Sequence, residues 1–337
     1  MADDFLQTPG WAKLLASLGT AKGYWAIGFV GPQAISPFLL VESAIHRGLG
    51  ANLPAGRLWV RCLRKLVPRT EMLGAPGIWD GSLCGGELAD MIGACAEISR
   101  SRGALRFSGS LVHSVPWAAQ DEVAARLRES GFATAPWGTY RVAIQPDLEA
   151  MRGALPKNTR KALRRAERAG LTAREVGPAD MDEYTTVWVE ARERDGLSLG
   201  ASPLGSWNVC ERVVPGVYHR YAAFHPDGEL LGGGGIYAHG QTGTSISVFQ
   251  GKRARDERLQ TQYLLHWHIM CWLAERGFAW YDLAGVDPNP AVGSKAEGIR
   301  EFKSRWGGEY LEYVTFHREL PGFRSLLLRV CRRWLAR

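Results

Sequence analysis

No run of about eighteen uncharged apolar residues occurs in this 337-residue sequence, so hydropathy supplies no membrane-spanning helix. The first ten residues, MADDFLQTPG, carry acids where a secretory leader has a basic and then an apolar region, and a cytoplasmic location is expected. The six cysteines (Cys62, Cys84, Cys95, Cys210, Cys271 and Cys331) contain no C-x-x-C pair. That spacing suggests neither a zinc site nor a disulfide framework, and reduced, mostly buried thiols are expected. His266 and His268 lie two apart on an expected helix, so their side chains diverge and cannot chelate one metal.

What is present is an ordinary globular composition, 46% hydrophobic and 22% charged, in a chain long enough for two domains. The net charge of +7 favours a polyanionic partner, because clustered Lys and Arg release counterions from phosphate. Charge alone does not separate that partner from a solvated surface.

Hydrophobic periodicity and Gly/Pro punctuation divide the chain into α/β phrases. Strands are expected within 25–47, 58–67 and 72–79, a helix over 83–100, a strand over 104–110, a helix over 118–130, and strands around Trp137-Gly138 within 131–144. A basic helix over 155–169, stopped by Gly170, opens a second lobe. It continues with a strand over 171–176, helices over 181–194 and 207–213, strands over 221–224, 230–238 and 244–250, a long helix over 258–276 and a strand over 278–286. Gly232 to Gly235 fall in a strand, which points to a bulge or a close backbone approach rather than a phosphate cradle. Arg102-Gly103 leading to Gly109, and Arg276-Gly277 leading to Gly285, repeat one helix-stop-strand phrase and suggest duplication.

The most specific segment is Tyr281-Asp282-Leu283-Ala284-Gly285-Val286, followed by Gly298-Ile299-Arg300-Glu301-Phe302-Lys303-Ser304-Arg305-Trp306-Gly307-Gly308-Glu309. It resembles the Fem family of aminoacyl-tRNA-dependent peptidyltransferases, in which an aromatic-Asp-x-x-Gly strand leads to a short Phe-Lys helix, a Gly-rich turn and a final strand. Phe5-Leu6-Gln7 with Trp11-Ala12-Lys13, Lys157 to Gly170, and Gln262 to Gly277 agree in order and spacing. The resemblance implies an α/β protein of two tandem N-acyltransferase (GNAT-like) lobes. The first, residues 1–150, is completed by a C-terminal helix at 321–337, and the second covers 151–320. No heptad insertion is visible, so no coiled-coil arm is implied.

Aminoacyl transfer from a tRNA ester needs a neutral amine, a place for the tetrahedral oxyanion and a protonated leaving oxygen, and it needs no cofactor or metal. By resemblance, Lys303 occupies the position that supplies the ammonium for the oxyanion, with Phe302 shaping the pocket and offering its backbone. Asp282 is expected to orient the strand end rather than to act as a base. Lys157, Arg160, Lys161, Arg164, Arg165 and Arg168 share one helical face and are candidates for tRNA phosphates, a solvated face being the alternative. The amphipathic segment 323–337 carries Arg332 and Arg333, which could hold the acceptor arm or, as the weaker option, an anionic membrane surface. A monomer is expected.

The acceptor positions depart from the family. Lys13 matches a phosphate-contacting lysine and Trp11 is a candidate stacking ring, but Glu193 to Gly200 lacks the arginine that follows the similar stretch in relatives. Ser108 stands where an acid is expected, and Phe249 where relatives carry tyrosine. A peptidoglycan precursor peptide and a secondary-metabolite amine both remain open as acceptors. An acyl-CoA-dependent N-acyltransferase is the nearest alternative, although Lys252 to Arg258 contains no glycine for close approach to a pyrophosphate. A non-catalytic RNA-binding protein on the same scaffold is the other.

Overall fold

The computed structural model describes residues 9–18, 23–30, 35–44, 68–72, 85–111, 117–196 and 203–321. The expected elements at 58–67 and 323–337, and most of that at 72–79, lie outside these residues, as do Cys62, Cys84, Cys331, Arg332 and Arg333. The chain divides into two compact units, residues 1–137 with 312–337, and residues 138–311.

The first unit holds helix α1 (Pro9–Ser17), strands β1 (Gly23–Val30), β2 (Ile35–Ala44) and β3 (Pro68–Met72), helix α2 (Gly85–Ser101), strand β4 (Arg106–Ser110) and helix α3 (Trp117–Glu129). Its sheet runs β1-β2-β3-β4-β11, where β11 (Glu309–Glu319) returns to this unit from residue 312. All its pairs are antiparallel except β3 with β4. Leu88, Ile92, Phe107, Leu127, Phe132 and Phe316 form its core, with Phe107, Phe132 and Phe316 meeting ring to ring at 6.0–6.3 Å.

Strand β5 (Ala133–Ala143) crosses into the second unit as one strand, where the sequence suggested a break at Trp137-Gly138. Gly138 is there for space: a Cβ would lie 2.4 Å from the Tyr310 ring. Helices α4 (Leu148–Ala154) and α5 (Lys157–Arg168) follow, then β6 (Thr172–Glu175), α6 (Met181–Arg194), α7 (Pro203–Val213), and strands β7 (Tyr218–Phe224), β8 (Leu230–His239) and β9 (Thr242–Gln250). The expected helix over 258–276 is α9 (Thr261–Glu275); a short helix, α8 (Lys252–Asp256), precedes it, and Arg258 between the two turns left-handed at φ 53°. Strand β10 (Trp280–Val286) and helix α10 (Lys295–Ser304) complete the unit. The sheet order is β5-β10-β9-β8-β7-β6, antiparallel except for β9 with β10.

Strand alternation sorts this sheet into two cores. Tyr221, Ile236 and Tyr281 pack with Leu265, Ile269 and Leu273 of α9 and Leu163 of α5, while Ala222, Phe224 and Phe249 turn the other way onto Tyr184 and Trp188 of α6. The glycines of β8 are the bulge and close approach read from sequence: the β8–β9 register shifts between Gly233 and Gly235, and a Cβ on Gly233 would lie 2.6 Å from Tyr184.

Helices α2, α3, α5 and α9 end in one way. Gly103, Gly131, Gly170 and Gly277 take φ between 70° and 82°, and the apolar residue after each (Ala104, Phe132, Leu171, Phe278) donates its N–H to a carbonyl five residues back. The left-handed glycine stop thus occurs at each of these helix-to-strand joins, so the Arg-Gly echo does not by itself single out a duplication.

Candidate active site

Strands β9 and β10 pair in parallel only from Thr242 to Thr244 and from Trp280 to Asp282, although both strands continue beyond. Past that last pair each carries a residue other than glycine in the left-handed region, Ser247 at φ 51° and Ala284 at φ 63°. The facing edges therefore lose their ladder partners and leave main-chain donors and acceptors free for other bonds.

Asp282, 8% exposed, holds the β10 side of this split. Its Oδ1 accepts the Ala284 N–H at 2.7 Å and the Thr139 hydroxyl of β5. The Thr139 oxygen also lies 3.1 Å from the Ala284 carbonyl, but it has a single proton, and the closer carboxylate takes it. The β5–β10 register shifts between Asp282 and Gly285, so this carboxylate bridges a bulge in its own strand.

Lys303 reaches the same bulge from α10. This helix is capped by Ser294, whose hydroxyl accepts the Glu297 N–H at 3.2 Å. Lys303 Nζ donates to the carbonyls of Ala284 and Gly285, both at 2.9 Å, which uses two of its three protons. Burial lowers its pKa to about 8, against an opposing pull from the Asp282 charge.

Beneath the lysine is an aromatic bed. The Phe302 ring is 5.2 Å from Tyr263, 5.4 Å from His266 and 6.3 Å from Trp306, and Trp306 is 1% exposed. His266 Nδ1 and the Tyr281 hydroxyl are 2.6 Å apart. Burial and then the Lys303 charge push the His266 pKa far down, so the imidazole is neutral. The result is a cation held at a strand split over a rigid apolar floor, an arrangement suited to meeting negative charge that develops on a bound carbonyl oxygen.

Residues 155–304 match the family model described as an acetyltransferase (GNAT) domain. Among solved structures, one of FemX is similar over 92% of both chains at 13% identity, with a TM-score of 0.65. The L-PGS of Bacillus licheniformis matches 95% of this chain and 90% of its own at 13% identity, TM-score 0.56. A tandem GNAT protein from the clavulanic acid biosynthesis pathway matches 87% of this chain and 82% of its own at 12% identity, TM-score 0.51. The fold is a Fem-like tandem GNAT fold. No curated protein matches the sequence. No coiled-coil arm is present among the described residues, and none of their helices is long and apolar enough to cross a membrane.

Within this GNAT frame, Lys303, Phe302 and Asp282 come together in the second unit. Phe249, expected at the substrate, is instead a core residue: it is 7% exposed, meets Tyr184 edge to face at 4.9 Å, and offers only its carbonyl, to Gln262 Nε2 at 2.7 Å. The bulge at Gly233–Gly235 turns its side chain onto α6. Ser108 lies on β4 of the first unit, in a depression of about 270 Å³ with Arg106, Ser110, Thr315 and His317. On α1, Lys13 is exposed and Trp11 half-buried. Lys157, Lys161, Arg164, Arg165 and Arg168 are exposed on α5 and Arg160 is half-buried, opposite the buried Thr159, Ala162, Leu163 and Ala166.

Sequence reasoning missed Thr139 and the lysine's carbonyl partners. Thr139 follows the Trp137-Gly138 pair around which strands were expected, and nothing local announces a contact 143 residues away.

Proposed function

We propose that the protein transfers an aminoacyl group from aminoacyl-tRNA to an amine acceptor, forming an amide. The observation that carries this reading is the position of Lys303 Nζ, bonded to the Ala284 and Gly285 carbonyls at the end of the β9–β10 split with one proton uncommitted. The acceptor's neutral amine attacks the ester carbonyl, and negative charge builds on its oxygen beside the ammonium. The ester C–O bond then breaks, and the proton shed by the amine ends on the departing ribose oxygen. Phe302 packs the floor under the reacting carbon, and Asp282 with Thr139 keeps the bulge in shape. One such oxyanion donor contributes on the order of 10²–10³ in rate.

The exposed stripe of α5 supports the tRNA donor. Lys157, Lys161, Arg164 and Arg168 fall on one face, and Glu167, the single acid of this helix, is paired with Arg152 at 2.8 Å. Acyl-CoA is the second reading, favoured by the match of residues 155–304 to an acetyltransferase domain. Against it, residues 252–256 before α9 are a closed helix rather than a glycine loop, and Arg253 there is tied to Asp227, Glu229 and Glu257. Incubating the protein with tRNA charged with each labelled amino acid and a panel of amines, with and without ribonuclease, tests the donor. Label should pass to an amine only from intact tRNA, and transfer that survives ribonuclease contradicts the reading.

A further inference from the structure

Arg220 of β7 is 3% exposed. Its Nε donates to the Tyr218 hydroxyl at 3.1 Å, its guanidinium carbon stands 4.3 Å from the centre of the same ring, and its Nη1 is buried with no hydrogen-bond partner. Among the described residues no carboxylate pairs with it. A buried guanidinium resting on one phenol is a poorly compensated charge, because stacking on a ring returns only part of the hydration it gives up.

The surroundings are built for this cation. Gly235 pairs with Arg220 across β7 and β8, and a Cβ there would lie 2.8 Å from the Tyr218 ring, so the glycine makes room for the Tyr218–Arg220 stack. Residues paired across a ladder share a face. Tyr218, Tyr237, Thr244 and Asp282 form one row of that face, and Arg220, Gly235 and Ile246 form the next. The Arg220 row is thus the one that runs into the β9–β10 split, and two strand spacings put its backbone about 10 Å from that of Ile246. Tyr237, Thr244 and Ile246 are half-buried, so solvent reaches this side of the split.

We propose that Arg220 binds the carboxylate of the acceptor, which makes the acceptor an amino acid or a peptide with a free carboxylate. The inference rests on the amide-forming reading above. A lone guanidinium with one unpaired edge matches a planar monoanion, whereas a phosphate dianion would bring a second charge that no described cation here neutralises.

The test is calorimetric titration of the full chain with N-acetylglycine, N-acetylglycinamide and inorganic phosphate, for wild type, Arg220→Lys and Arg220→Met. A saturable shift of the Arg220 Nε–Hε resonance in arginine-labelled protein locates the site. We expect N-acetylglycine to bind and its amide not to, with Kd raised about tenfold in Arg220→Lys, which keeps the charge but loses the fork, and binding lost in Arg220→Met. Equal binding to wild type and Arg220→Lys, no binding of the carboxylate, or preference for phosphate each overturns the proposal. Because the titration contains no tRNA, absent carboxylate binding with transfer intact sinks this inference alone. Carboxylate binding without any transfer from charged tRNA sinks the functional reading alone.

Discussion

Lys303 Nζ donates to the carbonyl of Ala284 at 2.9 Å, and Ala284 is held at φ 63°. Left-handed backbone costs a residue with a Cβ on the order of 1–3 kcal/mol and persists only where its surroundings impose it. Here Asp282 takes the Ala284 N–H and Lys303 its carbonyl, so the lysine proposed for the oxyanion also fixes the strand end that presents it.

Replacing Ala284 separates these roles. Ala284→Gly relieves the strain and should leave stability unchanged or raise it by up to about 1 kcal/mol, whereas Ala284→Val should lower it by about 2 kcal/mol or more. Urea unfolding midpoints read both. A valine tolerated as well as glycine would mean that the strain is not stored there.

The Lys303 pKa of about 8 lies below the ordinary lysine value of 10.5, with burial as the main cause. Oxyanion stabilisation needs the ammonium, so kcat should fall as pH rises through about 8. In Lys303→Arg the guanidinium stays charged, and that alkaline fall should vanish even though the rate is lower. Stability moves the other way. Between pH 8 and 10.5 the unfolded chain binds more protons at this residue than the folded one, so its contribution to stability rises with pH across that window, and Lys303→Met should abolish the rise.

Glycines of two kinds should respond with opposite sign. A Cβ on Gly233 would meet Tyr184 at 2.6 Å and Phe249 at 2.9 Å, so Gly233→Ala should cost about 1–3 kcal/mol by overpacking. Gly298, inside α10, has nothing within 4 Å of an added Cβ, so Gly298→Ala should stabilise by about 0.5–1 kcal/mol. Thermal melts of the pair check the packing on either side of the split.

If α5 carries tRNA phosphates, each of Lys157→Ala, Arg164→Ala and Arg168→Ala should weaken binding and reduce the slope of log K against log salt by about 0.9. Filter binding from low to physiological salt measures the slope. Three unchanged slopes would mark the stripe as a solvated face.

Legibility in the sequence followed the range of the causes. Gly103, Gly131, Gly170 and Gly277 act within one helix turn, so most helix stops could be read directly; Arg258 takes the same left-handed cap at the end of α8 without being glycine, so that short helix and the later start of α9 could not. The helix bearing Phe302 and Lys303 was legible from its motif. The Lys303 bonds were not, since they depend on a bulge between Asp282 and Gly285 that no residue type demands. Gly138 was misread as a break because its requirement comes from Tyr310, far along the chain, and Arg220 drew no notice because only folding removes it from water.

The central claim is that Lys303 stabilises the transition state of aminoacyl transfer at the β9–β10 split. Single-turnover transfer from charged tRNA by wild type and Lys303→Met, with tRNA affinity measured in parallel on the same samples, tests it most directly. The account predicts a loss on the order of 10²–10³ in the chemical step with tRNA affinity changed less than twofold. Unchanged single-turnover transfer by a folded Lys303→Met protein would contradict it.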